Sequence, residues 1–410
     1  MVQIENDEYG PFAERSFHKP WSQPPATVVL PKRLVHRDLL AASTNLGLKV
    51  HQKLAQATPG TNLVVSPISV NLAMAMAALG AQGETRRELA TGLGLGNIPE
   101  AEWQACYSDL MENLRYAAGE QELRIANSIW IKDSYRLQSQ YEEALKEHFE
   151  AEATSLRFSE ARSVARINQW VDDKTKGKIR NIVDSLSDEQ RLMLINCVYF
   201  KGLWHQPFDT DRTRDKVFHA SGGERQRPFM HMRNRFVYWE DEDVQVVRLD
   251  YARFSRLSLW VFLPSKNTGL EEFVRRLRAA FWESVRKESD TRPGTLALPR
   301  FKLECSEKLN QSLQAAGIDR CFDAERADFS GMLVEREPLF ISEVLQKTYL
   351  EVNEQGTEAA AATRVAVTLG AAFPSERPKP FEMVVDRPFF VALGDAATGL
   401  LLFTASVWDV

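Results

Sequence analysis

The order of helix-like and strand-like segments along this 410-residue chain predicts a mixed α+β fold in one large domain. Periodic helical segments come mainly in the first half and apolar strand-like runs mainly in the second. The sequence therefore lacks the regular alternation of a parallel βαβ protein. No internal repeat and no low-complexity linker divides it. Hydrophobic residues make up 44% of the chain and charged residues 26%, which is typical of a folded protein with a sizeable core.

Hydrophobic periodicity predicts the individual elements. The segment 61–85 predicts a short strand and then a buried helix, with Ser66 as N-cap and Pro67 at the first helical position. Other helices are predicted over 38–57, 84–92, 100–117, 139–149, 160–173 and 271–287. Strands are predicted over 123–132, 192–200, 244–251, 257–264, 295–304 and 339–352, with a final strand pair around Gly394-Asp395.

Several classes of function are disfavoured by composition and motif. The net charge of −5 argues weakly against a dedicated nucleic-acid binder. No apolar run reaches the roughly 18–20 residues that cross a bilayer. The four cysteines show no zinc spacing, and no hydrolase or nucleotide-binding motif is present. The first residues, MVQIENDEYGPF, contain no basic-then-apolar signal segment.

The most distinctive segment is EQGTEAAAATRVAVTLG, residues 354–370. Written as a strand from Thr357, it has one small apolar face and one face that carries Glu358 and Arg364. Alanine holds a strand in place poorly, but small side chains lower the barrier to sliding between two existing strands. An alanine-rich linker or a short helix is the alternative that these residues leave open.

Seven blocks, taken together and in order, resemble the signature blocks of the serpins over residues 38–410. They are VVSPISVNLAMAMAALGAQGET, NSIWIK, INQWVDDKTKGKI, INCVYFKGLWHQPFD, LPRFKLE, LEVNEQGTEAAAAT and DRPFFVAL. The resemblance implies a serpin fold of three β-sheets and eight or nine helices, with an exposed reactive-centre loop over 354–387. Residues 1–37 would be an irregular N-terminal extension.

The resemblance also implies a function. Inhibitory serpins are suicide substrates of serine proteases: the loop is cleaved, inserts into the main sheet as a new strand, and traps the acyl-enzyme. We therefore expect a metastable, secreted, extracellular monomer that regulates proteolysis, has no cofactor and is not an enzyme. The alternative is a non-inhibitory serpin that acts as a carrier, chaperone or interaction protein. A hydrolase is a further alternative that no motif supports.

Three sets of site residues follow from the same resemblance. The hinge, where insertion begins, comprises Glu354, Gly356, Thr357, Glu358, Ala359, Ala360, Ala361 and Ala362. The breach, at the top of the gap that the loop enters, comprises Trp204, Arg300 and Glu354. The shutter, behind the centre of the sheet, comprises Ser66, Ser69, Asn71, Asn196 and Gln346. Gln346 replaces a histidine common in the family, so we expect the shutter to be insensitive to pH.

Counting thirteen residues from Thr357, as the family does, puts the reactive bond at Gly370-Ala371, with Leu369-Gly370 as the alternative. More attractive residues for protease recognition each precede a proline, where serine proteases cleave poorly: Phe373, Arg377 and Lys379. Small residues and a leucine favour an elastase-like or chymotrypsin-like target. The segment after the bond, AFPSERPKPFE, is longer than in many relatives and is either a secondary docking site or an irregular return.

Heparin-type cofactors bind some relatives through a basic helix that matches residues 101–117 here. That stretch carries Arg115 as its single cation, against Glu102, Asp109 and Glu112. We therefore predict no heparin activation there. The basic stretch 271–287 is the next candidate for polyanions, although a solvated helix face is favoured.

Overall fold

A computed structural model describes residues 35–252, 255–357 and 379–410. Nine α-helices occur within these ranges. They are α1 (Arg37–Ala57), α2 (Pro67–Gly80), α3 (Gly83–Gly92), α4 (Trp103–Ala118), α5 (Ser139–Phe149), α6 (Ala161–Lys174), α7 (Gly269–Arg276), α8 (Ala279–Glu288) and α9 (Asn310–Ala315). Among the described residues, no helix is both long and apolar enough to cross a membrane.

Fifteen strands occur in the same ranges. They are β1 (Leu63–Val65), β2 (Glu122–Lys132), β3 (Glu152–Leu156), β4 (Leu192–Leu203), β5 (Arg214–Ala220), β6 (Gly223–Glu240), β7 (Val244–Asp250), β8 (Leu257–Pro264), β9 (Asp290–Pro299), β10 (Phe301–Lys308), β11 (Ile341–Val352), β12 (Gly356–Thr357), β13 (Phe381–Val384), β14 (Phe389–Asp395) and β15 (Leu401–Val407).

The strands form two hydrogen-bonded groups. One is a six-stranded sheet in the order β10-β11-β12-β4-β2-β3, which we call the main sheet. The other is a nine-stranded group in the order β1-β15-β14-β8-β7-β6-β9-β13, with β5 also paired to β6. The long strand β6 pairs with β7 at one end and with β5 and β9 towards the other, so it joins two sheets. The predicted α+β fold with three sheets is thereby confirmed.

The helix α2 lies in the centre of the molecule, against β4 of the main sheet and β15 of the other group. All its residues except Leu79 are buried, as its apolar sequence predicts. It packs closely on α1 because Gly47 has no side chain: a Cβ there would lie 2.2 Å from Pro67 Cβ. This contact fixes the start of α2, which carries part of the shutter, beneath the main sheet.

Two predicted elements are divided in the structure. The predicted helix 271–287 is two helices, α7 and α8, separated at Leu277 and Arg278. The predicted strand 295–304 is also two strands, which belong to different sheets and separate at Arg300. The strand prediction did not reveal this break, because both halves are extended and Arg300 is a single residue between them.

Candidate functional site

The chain doubles back at the upper end of the main sheet, directly after β11. Residues 353–355 form a tight turn, and Gly356 and Thr357 then enter the sheet as β12. The turn is closed by Asn353, whose side-chain oxygen accepts hydrogen bonds from the amides of Gln355 and Gly356, at 3.0 and 3.3 Å. Val352 of β11 pairs with Thr357, and Gly202 of β4 pairs with Thr357 on the other side. The first hinge residues are therefore already between the two strands.

Two glycines make room for this entry. A Cβ on Gly356 would lie 2.0 Å from the carbonyl oxygen of Gly202, closer than atoms can approach. A Cβ on Gly202 would lie 2.7 Å from the rings of Phe200 and Tyr251. The backbone of β12 can thus approach β4 because Gly356 has no side chain, while the missing side chain of Gly202 leaves room for the rings of Phe200 and Tyr251.

Thr357 is fully buried, and its hydroxyl lies 2.6 Å from the hydroxyl of Tyr251. Tyr251 stacks on Trp204, with ring centroids 4.6 Å apart. Burial raises the pKa of Tyr251 far above its usual value, so the phenol stays neutral. Trp204 donates its indole N–H to the carbonyl of Asn353 at 2.9 Å, and its backbone N–H to the carbonyl of Gln355. The aromatic pair therefore supports the turn and the first inserted side chain together.

Glu354 lies in the turn with its carboxylate buried at the top of the sheet. Its Oε1 accepts hydrogen bonds from Arg300 Nε at 2.7 Å and from the Thr213 hydroxyl at 2.6 Å. Burial alone would raise the pKa of Glu354, but the bonds from Arg300 and Thr213 outweigh it and lower the pKa. A lowered pKa means that this contact stabilises the fold at neutral pH and is lost when acid protonates the carboxylate.

The structure thus brings the three breach residues, Trp204, Arg300 and Glu354, to one end of the sheet, beside the hinge residues Gly356 and Thr357. The remaining hinge residues lie outside the described residues: Glu358, Ala359, Ala360, Ala361 and Ala362. The same holds for both candidate reactive bonds, which involve Leu369, Gly370 and Ala371.

Below the hinge, β4 and β11 pair directly with each other and run parallel, from Leu192 beside Ile341 to Tyr199 beside Tyr349. On their outer sides, β4 pairs with β2 and β11 pairs with β10, both antiparallel. The short strand β12 is antiparallel to both β4 and β11. A strand that continued from Thr357 down this gap would therefore have an antiparallel partner on each side, the slightly more stable pairing.

The five shutter residues are all buried beneath the centre of this strand pair. Asn196 and Gln346 face each other across β4 and β11. The Gln346 amide accepts from the backbone N–H of Ser66 at 2.8 Å and donates to the Ser66 carbonyl at 3.1 Å. The hydroxyl of Ser66 in turn donates to that of Ser69 at 2.9 Å. Gln346 thereby joins β11 to the start of α2.

The other two shutter residues bond to partners that sequence reasoning missed. Asn196 donates to the side-chain oxygen of Asn127 on β2, and Asn71 accepts from the Tyr107 hydroxyl at 3.0 Å. Among the described residues, the Asn71 amide nitrogen and the Asn196 amide oxygen have no hydrogen-bond partner. Asn127 is the first residue of the NSIWIK block, so a sequence signal for it was present.

A cover lies over the lower half of the same strands. It consists of α6 and the segment 175–187, and it shares one hydrophobic cluster with β4 and β11 that includes Trp170, Val183 and Ile195. Lys347 of β11 donates its ammonium to the carbonyl of Arg180 in this segment at 2.5 Å, and pairs with Glu304 at 3.1 Å. An added strand between β4 and β11 requires the cover to move.

The two basic stretches carry little uncompensated charge. Arg115 of α4 is ion-paired with Glu150. In α7 and α8, Arg275 and Arg276 pair with Glu272, while Arg286 and Lys287 pair with Glu283. Arg278 donates to backbone carbonyls. The absence of heparin activation stays a prediction, and these pairs are in line with it.

Neither a metal site nor a reactive thiol is apparent among the described residues. The described residues contain no group of three or more histidine, cysteine or acidic side chains that could hold a metal ion. No disulfide joins the four cysteines, all of which lie in the described ranges, and burial raises the pKa of Cys197, on β4, to about 12. A thiol with so high a pKa is a poor nucleophile at neutral pH.

The fold and this site define a protein whose main sheet has received the first two residues of an additional strand. The family model described as serpin (serine protease inhibitor) matches residues 41–410, and the chain belongs to the serpin family. Serine protease inhibitor 42Dd of Drosophila melanogaster is 35% identical, over 85% of this chain and 92% of that protein. The leukocyte elastase inhibitor of Homo sapiens is 31% identical, over 89% of this chain and 98% of its own length.

Among solved structures, human thyroxine-binding globulin complexed with its hormone superposes with a TM-score of 0.82 at 25% identity. The match covers 91% of this chain and 98% of that one. The family therefore contains proteins named as protease inhibitors and a protein named for binding thyroxine. Serpins are not catalytic enzymes, so the hydrolase alternative is set aside.

Proposed function

We propose that this protein is a suicide-substrate inhibitor of a serine protease, with the loop that follows Thr357 as its bait. The observation that carries the proposal is the position of Gly356 and Thr357 between β4 and β11, antiparallel to both. After cleavage near Gly370, the arm from Glu358 onward would continue this strand downward through the gap. Each backbone hydrogen bond that it gains contributes about 0.5–1.5 kcal/mol.

The sequence of the arm supports the same mechanism. Residues 359–362 are four alanines, which pass between two strands without a steric barrier. The shutter, which contains two amide groups without a hydrogen-bond partner among the described residues, lies on the path of that strand. The cover lies over the same path and would be displaced. The energy released by insertion would carry an acylated protease across the molecule and distort it before the ester hydrolyses.

The target class is part of the proposal. The candidate bonds Gly370-Ala371 and Leu369-Gly370 suit an elastase-like or a chymotrypsin-like protease. The similarity to a leukocyte elastase inhibitor supports the first of these. That the protein is secreted and acts as a monomer remains a prediction.

The test is to incubate the protein with elastase, chymotrypsin and trypsin and to separate the products on denaturing gels. An inhibitor gives a covalent band near the summed masses of the two proteins. As a control, each protease is incubated with the protein after its active-site serine has been blocked, which should prevent the covalent band. Cleavage without a covalent band, but with a large rise in thermal midpoint, would mean insertion without trapping.

A non-inhibitory carrier is the second candidate, because thyroxine-binding globulin shares the fold. A carrier need not insert its loop productively, so its cleavage would give no covalent complex with any of the three proteases. Cleavage near residue 370 with an unchanged thermal midpoint would contradict strand insertion itself.

A further inference from the structure

A cavity of about 360 Å³ opens at one end of the nine-stranded group, beside α7. It lies between His219 on β5, the end of β8, the start of α7, the segment just before β14, and Trp408, which follows β15. Cavities that hold small molecules in proteins are typically about 300–1,000 Å³ and mostly apolar, with a few polar groups that orient the ligand. The lining of this cavity agrees with that description.

The walls of the cavity are apolar. Pro264 and Leu270 are buried, and Pro388 and Trp408 are half-buried. Trp408 packs against the hydrophobic cluster that includes Leu270, and its backbone N–H donates to the side-chain oxygen of Asn62 at 2.6 Å. Three of these four walls are aliphatic, and neither proline has an amide N–H to offer. The walls therefore suit a saturated hydrocarbon chain.

The rim of the cavity is positively charged. Lys266, Arg387 and His219 line it, and no aspartate or glutamate is among the described residues that do so. Arg387, the last residue of the expected reactive-centre loop, donates to the Asp386 carboxylate and to a backbone carbonyl, each at 3.0 Å. The ring of His219 lies 3.2 Å from the carboxylate of Glu224. Lys266 is exposed, and within the described residues no carboxylate pairs with it, so its charge is available to a ligand.

Two larger clefts on the molecule lack this combination. The cleft of about 680 Å³ between α1 and α3 is lined by Glu84 and Glu88 as well as by Arg87. The cleft of about 520 Å³ between α4 and β2 contains Glu122 and Glu150. Charges of both signs favour neither an anion nor a cation. A cationic rim above apolar walls favours a ligand with a negative head and a hydrocarbon tail.

We propose that this cavity binds a small aliphatic carboxylate, with its hydrocarbon chain against Leu270 and the two prolines and its carboxylate at Lys266. A charge-assisted hydrogen bond from the ammonium fixes the head, and each methylene that is buried strengthens binding about fourfold. None of the lining residues belongs to the main sheet. The inference therefore goes beyond the proposed function and does not depend on whether the loop inserts.

The experiment measures the binding of octanoate by equilibrium dialysis at about 50 mM sodium chloride, where charge pairs are weakly screened. We expect saturable binding with a Kd of about 0.1–1 mM, as is usual for a ligand of about ten non-hydrogen atoms. Hexanoate, which is shorter by two methylenes, should bind about tenfold more weakly, and the uncharged octanamide at least about fivefold more weakly. Octanoate should also slow amide hydrogen exchange at residues 265–271.

The variant K266Q removes the charge at the rim and should bind octanoate about as weakly as octanamide, while its binding of octanamide stays unchanged. The matched control is K49Q, which removes an exposed lysine of α1 that also has no ion pair within the described residues, and it should bind octanoate like the unaltered protein. Equal losses in the two variants, equal binding of octanoate and octanamide, or protection from exchange only outside residues 265–271 would overturn the inference. So would a lack of saturable binding up to about 5 mM octanoate, whether or not covalent complexes with proteases form.

Discussion

Thr357 is the first residue whose side chain lies inside the main sheet, and its surroundings determine what this position tolerates. The side chain is fully buried, and its hydroxyl lies against the Tyr251 hydroxyl at 2.6 Å. The neighbouring Gly356 has no space for a Cβ, so the backbone cannot shift towards β4 to make room. The position therefore accepts a small side chain with a hydroxyl.

Replacing Thr357 with arginine should turn the inhibitor into a substrate. An unpaired charge at the first inserted position must either be buried, at a cost of several kcal/mol, or keep the hinge out of the sheet. We expect protease to cleave the variant without forming the covalent complex, as seen on denaturing gels. Thr357→Ser keeps the hydroxyl and should still form the complex. Complex formation by the arginine variant at the original yield would rule out the hinge assignment.

Gln346 shows how one substitution changes the shutter without removing it. Both atoms of its amide are used, one to accept from and one to donate to the backbone of Ser66. A histidine titrates near neutral pH, whereas an amide does not. The insensitivity of the shutter to pH stays a prediction, and the geometry gives its reason.

At the scale of elements, the decisive feature is the direction of the strands. β4 and β11 run parallel to each other and antiparallel to their outer neighbours. Because each of these two parallel strands is antiparallel to its outer neighbour, one strand of opposite direction can be added between them. The turn at 353–355 sends the chain back in that direction, so the sheet contains both the place and the start of the additional strand.

In the proposed mechanism the cover must move, and Asn168 attaches its segment to α6. The Asn168 side chain accepts from the amides of Ile182 and Val183, at 2.9 and 3.1 Å, and donates to the Val183 carbonyl at 2.7 Å. Asn168→Ala removes all three bonds. We expect amide hydrogen exchange at residues 179–183 to become about tenfold faster or more, since each lost bond to a buried partner costs about 1 kcal/mol.

The variant Asn168→Asp provides a graded comparison. The carboxylate keeps an oxygen that accepts from both amides and loses the donation to the Val183 carbonyl, so exchange should fall between that of the original protein and that of the alanine variant. Exchange in the alanine variant that matched the original protein would show that the hydrophobic cluster alone holds the segment in place.

At the scale of the whole molecule, the stability of the fold should depend on pH through His51. This histidine is fully buried between α1 and β15, where its two ring nitrogens contact the hydroxyls of Ser406 and Thr404 at 2.8 and 3.0 Å. Burial lowers the pKa of His51 to about 3. The unfolded chain, with a pKa of about 6.5 at this residue, then binds more protons than the folded one between these two values.

Stability should therefore fall as the pH drops below about 6.5. For His51 alone the loss is about 1.4 kcal/mol at pH 5.5, or about a tenfold faster unfolding if the ring is exposed in the transition state. Unfolding rates in urea at pH 7.5 and 5.5 measure this. Glutamine does not titrate, so in His51→Gln the change in unfolding rate between the two pH values should be smaller by about tenfold. An equal change in both proteins would assign the pH dependence to other groups.

The fold was largely predictable because its elements are marked locally. The buried helix α2 follows from an apolar sequence with a proline at its first position, and β11 from a long strand-like run. The breaks at Leu277 and at Arg300 were not predictable, since each divides a segment whose two halves have the same type of secondary structure. The breach residues Trp204, Arg300 and Glu354 were named from their sequence blocks, whereas their partners Thr213 and Tyr251 come from segments with no marking of their own.

What the sequence by itself determined is the set of parts: a serpin chain, its helices and strands, and an alanine-rich arm after Thr357. Those properties depend on neighbours within a few residues, or on blocks that resemble a family. What only the tertiary structure decided is where the arm starts. Gly356 and Thr357 lie between β4 and β11 because Gly356, which has no side chain, can pack against the carbonyl of Gly202, about 150 positions away. A contact over that separation depends on the packing of the whole chain, which no local pattern encodes.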